Sequence, residues 1–248
     1  ILVTKIAIIT GAGSGVGRET AKKLSEDDSL VILIGRREEK LKETQDYCPN
    51  ETQIMPMDVS NINEVKNCFE KIEKEYSRLD LVFNNAGVFI PGKTADQVSY
   101  DEWKYVIDTN INGMFLFSKF AFSLMKRQSP QGGRIINNGS ISSMTPRPGS
   151  LAYTTTKHAI TGMTKSLSLD GRPYDIVCSQ IDIGNAETPM TTNMKNGILQ
   201  ASGLTQKEPV FDPIHVAEAV SNISKLPLDT NILNMTIMAS KMPFVGRG

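Results

Sequence analysis

Thr10-Gly11-Ala12-Gly13-Ser14-Gly15-Val16-Gly17 follows a short β-branched run at residues 3–9 and leads into residues 18–24, which carry charges on one face and apolar groups on the other. The order reads as buried strand, tight turn and amphipathic helix. Glycine lets a ligand approach the backbone with no Cβ in the way. The helix that follows offers free N–H groups and the positive end of its dipole to an anion. A pyrophosphate satisfies both features. The spacing excludes a P-loop, since no Gly-Lys-[Ser/Thr] stands at the required offset, and it departs from G-x-G-x-x-G by following T-G-x-x-x-G-x-G at Gly11, Gly15 and Gly17.

Outward from this turn the alternation continues to the end of the chain. Strands are predicted at 30–34, 52–57, 80–84, 134–138, 175–181 and 233–238, and helices at 38–47, 61–76, 152–169 and 213–225, with one or two packed helices across 103–125. In 61–76, Ile62, Val65, Phe69 and Ile72 recur every three or four residues. Repeated strand–helix units mean parallel strands joined by right-handed crossovers, with helices on both sheet faces. No linker, charge run or internal repeat divides the chain, so residues 1–248 read as one α/β domain, a doubly wound parallel sheet of about seven strands. Residues 184–212 show no periodicity and are expected to form a substrate loop, since unstructured stretches of this length are usually functional.

Composition narrows the class further. Of 248 residues, 40% are hydrophobic and 22% charged, which excludes a disordered or collagen-like chain. Lys plus Arg and Asp plus Glu each number 27, so no net field draws the chain to nucleic acid or to acidic membranes. The aliphatic run at 30–34 is far shorter than the ~18 residues of a membrane span. Cys48, Cys68 and Cys178 form neither a disulfide framework nor a zinc pattern, and a reducing, cytoplasmic setting is expected. His158 and His215 have no second ligand at metal spacing, so no metal site is expected. Ser-His-Asp hydrolysis fails for want of a G-x-S-x-G elbow.

The second strand ends in Gly35-Arg36-Arg37, with no acid and two guanidinium groups. A carboxylate there would favour NAD, whereas Arg favours the 2′-phosphate of NADP through paired, charge-assisted hydrogen bonds. NADP is therefore the expected cofactor, with Arg36 ahead of Arg37 as the phosphate contact. Tyr153 and Lys157, four apart on a helix, share one face. A nearby ammonium favours the phenolate and brings a tyrosine towards the range of a working acid–base group. Ser140 follows the fifth strand, Asn84-Asn85-Ala86-Gly87 follows the fourth, and Asn110 sits inside a helix, an unusual place for a residue that prefers caps and turns.

Together these motifs resemble the short-chain dehydrogenase/reductase family over essentially the whole chain. The glycine turn, the Asp58-Val59 pair, Asn84-Asn85-Ala86-Gly87, and then Asn110, Ser140, Tyr153 and Lys157 stand in the family's order and spacing. The resemblance implies a Rossmann-like fold and a cofactor held by Gly11, Gly13, Ser14, Gly15, Val16, Gly17, Arg36, Arg37, Asp58, Val59, Asn85, Ala86, Gly87, Tyr153, Lys157, Gly184 and Thr188. It assigns Asp58 to adenine, Asn85 to the adenosine ribose and Thr188 to the nicotinamide amide. Ile183-Gly184 replaces the family's usual Pro-Gly, and Ser14 stands where some NADP-specific members carry a basic residue.

The implied activity is reversible hydride transfer between NADP(H) and a carbonyl or alcohol of a small organic substrate. Ser140 polarises the substrate oxygen, and Tyr153 gives or takes its proton. Lys157 biases Tyr153 and contacts the nicotinamide ribose, while Asn110 holds a water that relays protons to Lys157. The alternative is a catalytically silent NADP-binding regulator of the same fold. An epimerase or dehydratase would need a larger C-terminal region than the chain has beyond Ala239. Substrate determinants are expected in 89–98, 142–151 and 184–212. Met144, Met190 and Met194 flank the expected site, and Arg147 reads as a solvated loop arginine. A homodimer or tetramer built on the helices around 111–125 and 152–169 is expected from the resemblance.

Overall fold

The chain alternates strand and helix because its strands are apolar on both sides. In β1 (Lys5–Thr10), Ile6 and Ile8 point into one hydrophobic core and Ala7 and Ile9 into another. β2 (Ser29–Gly35) repeats the division with Ile32 and Ile34 against Val31 and Leu33. Neither face could lie bare in water, since each buried aliphatic side chain is worth roughly 1.5–3 kcal/mol. A computed structural model describes residues 5–90, 92–195 and 197–245; the expected start of the first strand at Val3 lies outside them.

With β3 (Thr52–Pro56), β4 (Leu81–Asn84), β5 (Gly133–Asn138), β6 (Ile176–Ile183) and a last strand, Asn234–Ile237, these form one parallel seven-stranded sheet. Its order runs β3, β2, β1, β4, β5, β6 and the last strand. α1 (Gly15–Glu26), α2 (Glu38–Tyr47) and α7 (Ile214–Lys225) cover one face through Leu24, Leu41 and Val220. On the other face, α3 (Ile62–Tyr76) and α5 (Met114–Arg127) pack Phe69 edge-on against Phe117. α6 (Leu151–Gly171) lies against β6, and α4 (Tyr100–Ile107) lies against α6. The fold is α/β and Rossmann-like. The chain leaves β1 in one direction and returns to β4 in the other, so a crevice opens beyond the carboxyl ends of these two strands.

Two differences from the sequence reading bear on function. The predicted helical stretch across 103–125 is continuous, but Asp108–Gly113 is wound as a π-helix between α4 and α5. Such a bulge offsets one face of a helix by a residue and is common at functional sites. Residues 184–212 are not structureless. They contain a 3₁₀ turn, Pro189–Lys195, and a hairpin of β7 (Ile198–Leu199) and β8 (Thr205–Gln206), which makes the last strand β9. Two-residue strands are too short to show alternation. The base of this loop is pinned as well: Glu187 N donates to Phe211 O at 2.7 Å, and Phe211 N to Asn185 O at 3.0 Å.

Candidate active site

A cleft of about 260 Å³ opens at the crevice. Its floor is the glycine turn. Gly11 has φ +67°, and a Cβ on Gly17 would lie 2.3 Å from Gly11 O. Only with glycine at 17 can α1 press against the turn, and α1 begins at Gly15 rather than at residue 18, so its first N–H groups stand at the cleft. Gly11, Gly13, Ser14, Gly15 and Val16 line it, as do Arg36, Arg37, Asp58, Val59, Asn85, Ala86, Gly87 and Thr188. Gly17 does not; it works from beneath. Gly184 does not either, because it packs under β9, where a Cβ would meet Met238 Cβ at 2.6 Å.

Of the lining residues that the sequence reading did not single out, Lys40, Thr109 and Asn138 are the polar ones. Lys40 stands on the first turn of α2, and its Nζ lies 2.6 Å from Glu43. A third cation four residues after Arg36 was the available signal. Arg36 Nη2 donates to Tyr105 OH at 3.2 Å. A floor of backbone N–H groups with cations at its outer rim suits a dinucleotide's phosphates.

Asn85 stitches the strand ends together. Its Nδ2 donates to Thr10 O at 3.0 Å, and its Oδ1 accepts from Asn138 Nδ2 at 2.8 Å. Asn138 O in turn accepts from Lys157 Nζ at 2.7 Å, which links the cleft to the polar cluster behind its inner end; Ser140, Tyr153 and Lys157 do not themselves line it. Burial lowers the Lys157 amine to about 8, partly opposed by the Asp182 carboxylate. Burial likewise pushes the Tyr153 phenol above its ordinary value, and a hydrogen bond with Ser140 and the Arg147 charge pull it back. Lys157 Nζ lies 5.4 Å from the Tyr153 ring centroid. The lysine expected to ease Tyr153 ionisation is thus itself disfavoured as a cation by its burial.

Ser140 Oγ accepts from Ser142 N at 3.1 Å, capping a 3₁₀ turn, Ile141–Ser143. Its backbone is fixed by Asp182, a buried carboxylate that sequence reasoning missed. Asp182 Oδ1 accepts from Ser140 N at 2.9 Å, Ser143 Oγ at 2.9 Å and Gln180 Nε2 at 2.8 Å, and Oδ2 from Asn234 Nδ2 at 2.8 Å. Asn110, fully buried in the π-helix, commits its side chain to the loop after β4 and to α6. Oδ1 accepts from Val88 N at 2.8 Å, and Nδ2 donates to Val88 O at 3.0 Å and Thr156 Oγ1 at 3.2 Å. It pins the loop after β4 to α6. Phe89 on that loop meets the Tyr153 ring edge-on, centroids 5.6 Å apart.

Arg147 is not solvated. Its Nη2 lies 2.6 Å from the Glu208 carboxylate, whose side chain is fully buried. Burial pushes the Cys68 and Cys178 thiols up to about 12, which makes them poor nucleophiles. The Met194 side chain lies outside the described residues. Among the described residues no cluster of three or more His, Cys, Asp or Glu side chains could hold a metal, and no helix is long and apolar enough to cross a membrane.

The short chain dehydrogenase family profile matches residues 5–198, and the chain belongs to that family. It is therefore an oxidoreductase of the dehydrogenase/reductase type, acting on CH–OH or C=O groups with NAD(P). A 3beta-hydroxysteroid dehydrogenase of Mediterraneibacter gnavus is 35% identical over 190 residues, 75% of this chain and 68% of that protein. The closed form of a serine dehydrogenase complexed with NADP+ superposes with TM-score 0.86 at 26% identity, covering 98% of each chain. A 3-ketoacyl-(acyl-carrier-protein) reductase from Brucella melitensis complexed with NADH shares the fold at TM-score 0.83 and 22% identity, covering 97% of this chain and 99% of that one.

Proposed function

We propose that this chain interconverts uncharged, largely apolar ketones and secondary alcohols with NADP(H), using Tyr153 as the proton donor and acceptor. The observation that carries the reading is the clustering of Ser140, Tyr153 and Lys157 next to Asn138, a lining residue of the cleft floored by the glycine turn. When bound, the cofactor supplies or accepts the hydride. Ser140 hydrogen-bonds the substrate oxygen and steadies the charge that develops there. Tyr153 delivers a proton to that oxygen in reduction and withdraws it in oxidation. Burial keeps its phenol protonated at neutral pH, which suits the reductive direction. Lys157 holds the Asn138 carbonyl and, with an amine near 8, can pass a proton onward.

The preference for NADP over NAD is supported by the absence of an acid at the end of β2 and by Arg36, Arg37 and Lys40 along the cleft. The substrate class is supported by exposed apolar groups, Phe89, Met144 and Met190, and by the pairing of Arg147 with Glu208, which leaves that guanidinium unsuited to an acidic substrate. The similarity to a 3beta-hydroxysteroid dehydrogenase points the same way.

The test is loss of NADPH or NADH absorbance with a 3-oxosteroid, a cyclic diketone, a simple aldehyde and a keto acid. Turnover of the neutral ketones with NADPH ahead of NADH is expected. Preference for the keto acid would overturn the substrate class, equal use of NADH the cofactor assignment, and NADPH binding without turnover would favour the silent regulator.

A further inference from the structure

Arg147 lies in the turn immediately ahead of α6, six residues before Tyr153. Its Nη2 donates to Asn185 Oδ1 at 3.2 Å as well as pairing with Glu208. Asn185 Nδ2 donates to Glu208 Oε2 at 2.7 Å, and Gln200 Nε2 to Glu208 Oε1 at 2.9 Å. Three segments thus converge: the turn before α6, the chain just after β6, and the arm returning from the β7–β8 hairpin. The turn is in turn bound to the helix it precedes. Arg147 N donates to Ser150 Oγ at 3.1 Å, and Ser150 Oγ shares a 2.8 Å hydrogen bond with Thr154 Oγ1 in the first turn of α6. Gly149 O accepts from Lys93 N at 3.3 Å, which ties the same turn to the loop after β4.

A buried ion pair of this kind pays a desolvation cost that apolar side chains would avoid, so it is weak evidence for stability and invites a functional account. We propose that Arg147 and Glu208 form a latch that holds the returning arm of the substrate loop against the turn ahead of Tyr153, and that Arg147 is a positioning residue whose charge steers the Tyr153 proton. The second half rests on the reading of Tyr153 as the proton donor; the first half does not.

Charged groups stand on α6, on the elements packed against it and on the latch itself. Lys157 stands on α6 itself, Asp182 on β6, Glu102 on α4 beside Lys93, Asp108 at the start of the π-helix beside Lys104, and Glu208 on the returning arm. His158 is exposed and bonds the Thr154 carbonyl. The Arg147 charge favours the ionised form of the phenol, while Glu208 partly neutralises Arg147. Removing the cation and removing its carboxylate partner therefore act on Tyr153 with opposite sign, whereas both break the latch.

The experiment compares wild type with Arg147→Met, Glu208→Gln and Arg147→Lys, using hydrogen–deuterium exchange and the pH profile of reduction of whichever of the neutral ketones above the wild type turns over. Exchange over residues 205–211 is expected to rise at least about tenfold in Arg147→Met and Glu208→Gln while the central strands stay unchanged. The alkaline limb of kcat/KM is expected to move up by about one pH unit in Arg147→Met and down in Glu208→Gln, with Arg147→Lys near wild type. Unchanged exchange in both variants overturns the latch. Limbs that shift together, or stay put, overturn the electrostatic role. Should Arg147→Met fail to fold, Glu208→Gln and Arg147→Lys decide the same two points. If the wild-type chain reduces none of the neutral ketones, the functional reading fails, and exchange still decides the latch.

Discussion

The outer and inner ends of the cleft are built in opposite ways. At the outer end the ligand-facing groups are glycine backbone and the exposed cations Arg36 and Arg37, on one short stretch of sequence between β1 and α2. At the inner end Ser140, Lys157 and Asp182 are all buried, and their partners come from β5, β6, β9 and the loops between them. Exposed charges interact weakly through water, so the outer end can be altered at modest cost. A buried polar network loses a full desolvation penalty for each partner removed. On the function proposed above, the outer end would select the cofactor and the inner end would keep the reacting groups in place.

Substitutions should expose that contrast. Asp182→Ala strands four donors beneath Ser140 and is expected to cost about 4 kcal/mol, read as a lower denaturant midpoint with turnover falling alongside. Gly17→Ala drives a methyl into Gly11 O and should cost about 2 kcal/mol, with weaker cofactor binding measured by fluorescence titration. Arg36→Ala is expected to leave stability alone and raise KM for NADPH about tenfold, with KM for NADH little changed. An equal rise for both would transfer the selectivity to Arg37 and Lys40.

Lys157→Met gives the subtlest effect, a change in the shape of the stability curve. The folded amine, at about 8, binds fewer protons than the unfolded one at its ordinary 10.5. Wild-type stability therefore gains from this group as pH rises between those values. The variant lacks that gain, so its stability relative to wild type should be greatest below pH 8 and decline towards pH 10.5. Parallel melting curves across that range would show that Lys157 is not desolvated.

Much of the outer end was legible in the sequence because it is local. The bounds expected for the helix at 38–47 coincide with α2, and the glycine turn and Arg36 fall where strand, turn and helix signals place them. The catalytic order of Ser140, Tyr153 and Lys157 was legible as a motif. What it rests on was not: Asp182 is a single carboxylate 42 residues from Ser140, with no spacing to mark it, and Arg147 finds Glu208 only through the folded loop. The desolvation of the Tyr153–Lys157 pair was hidden for the same reason. Helical spacing brings the two groups to one face but says nothing of how little water reaches them.

Tyr153→Phe tests the central claim most directly, because it removes one oxygen and leaves the ring against Phe89. With NADPH and whichever neutral ketone the wild type reduces, turnover should fall by about 10²–10⁴-fold while NADPH binding stays within about twofold. A variant that keeps turnover within a few-fold of wild type would contradict the assignment of Tyr153 as the proton donor.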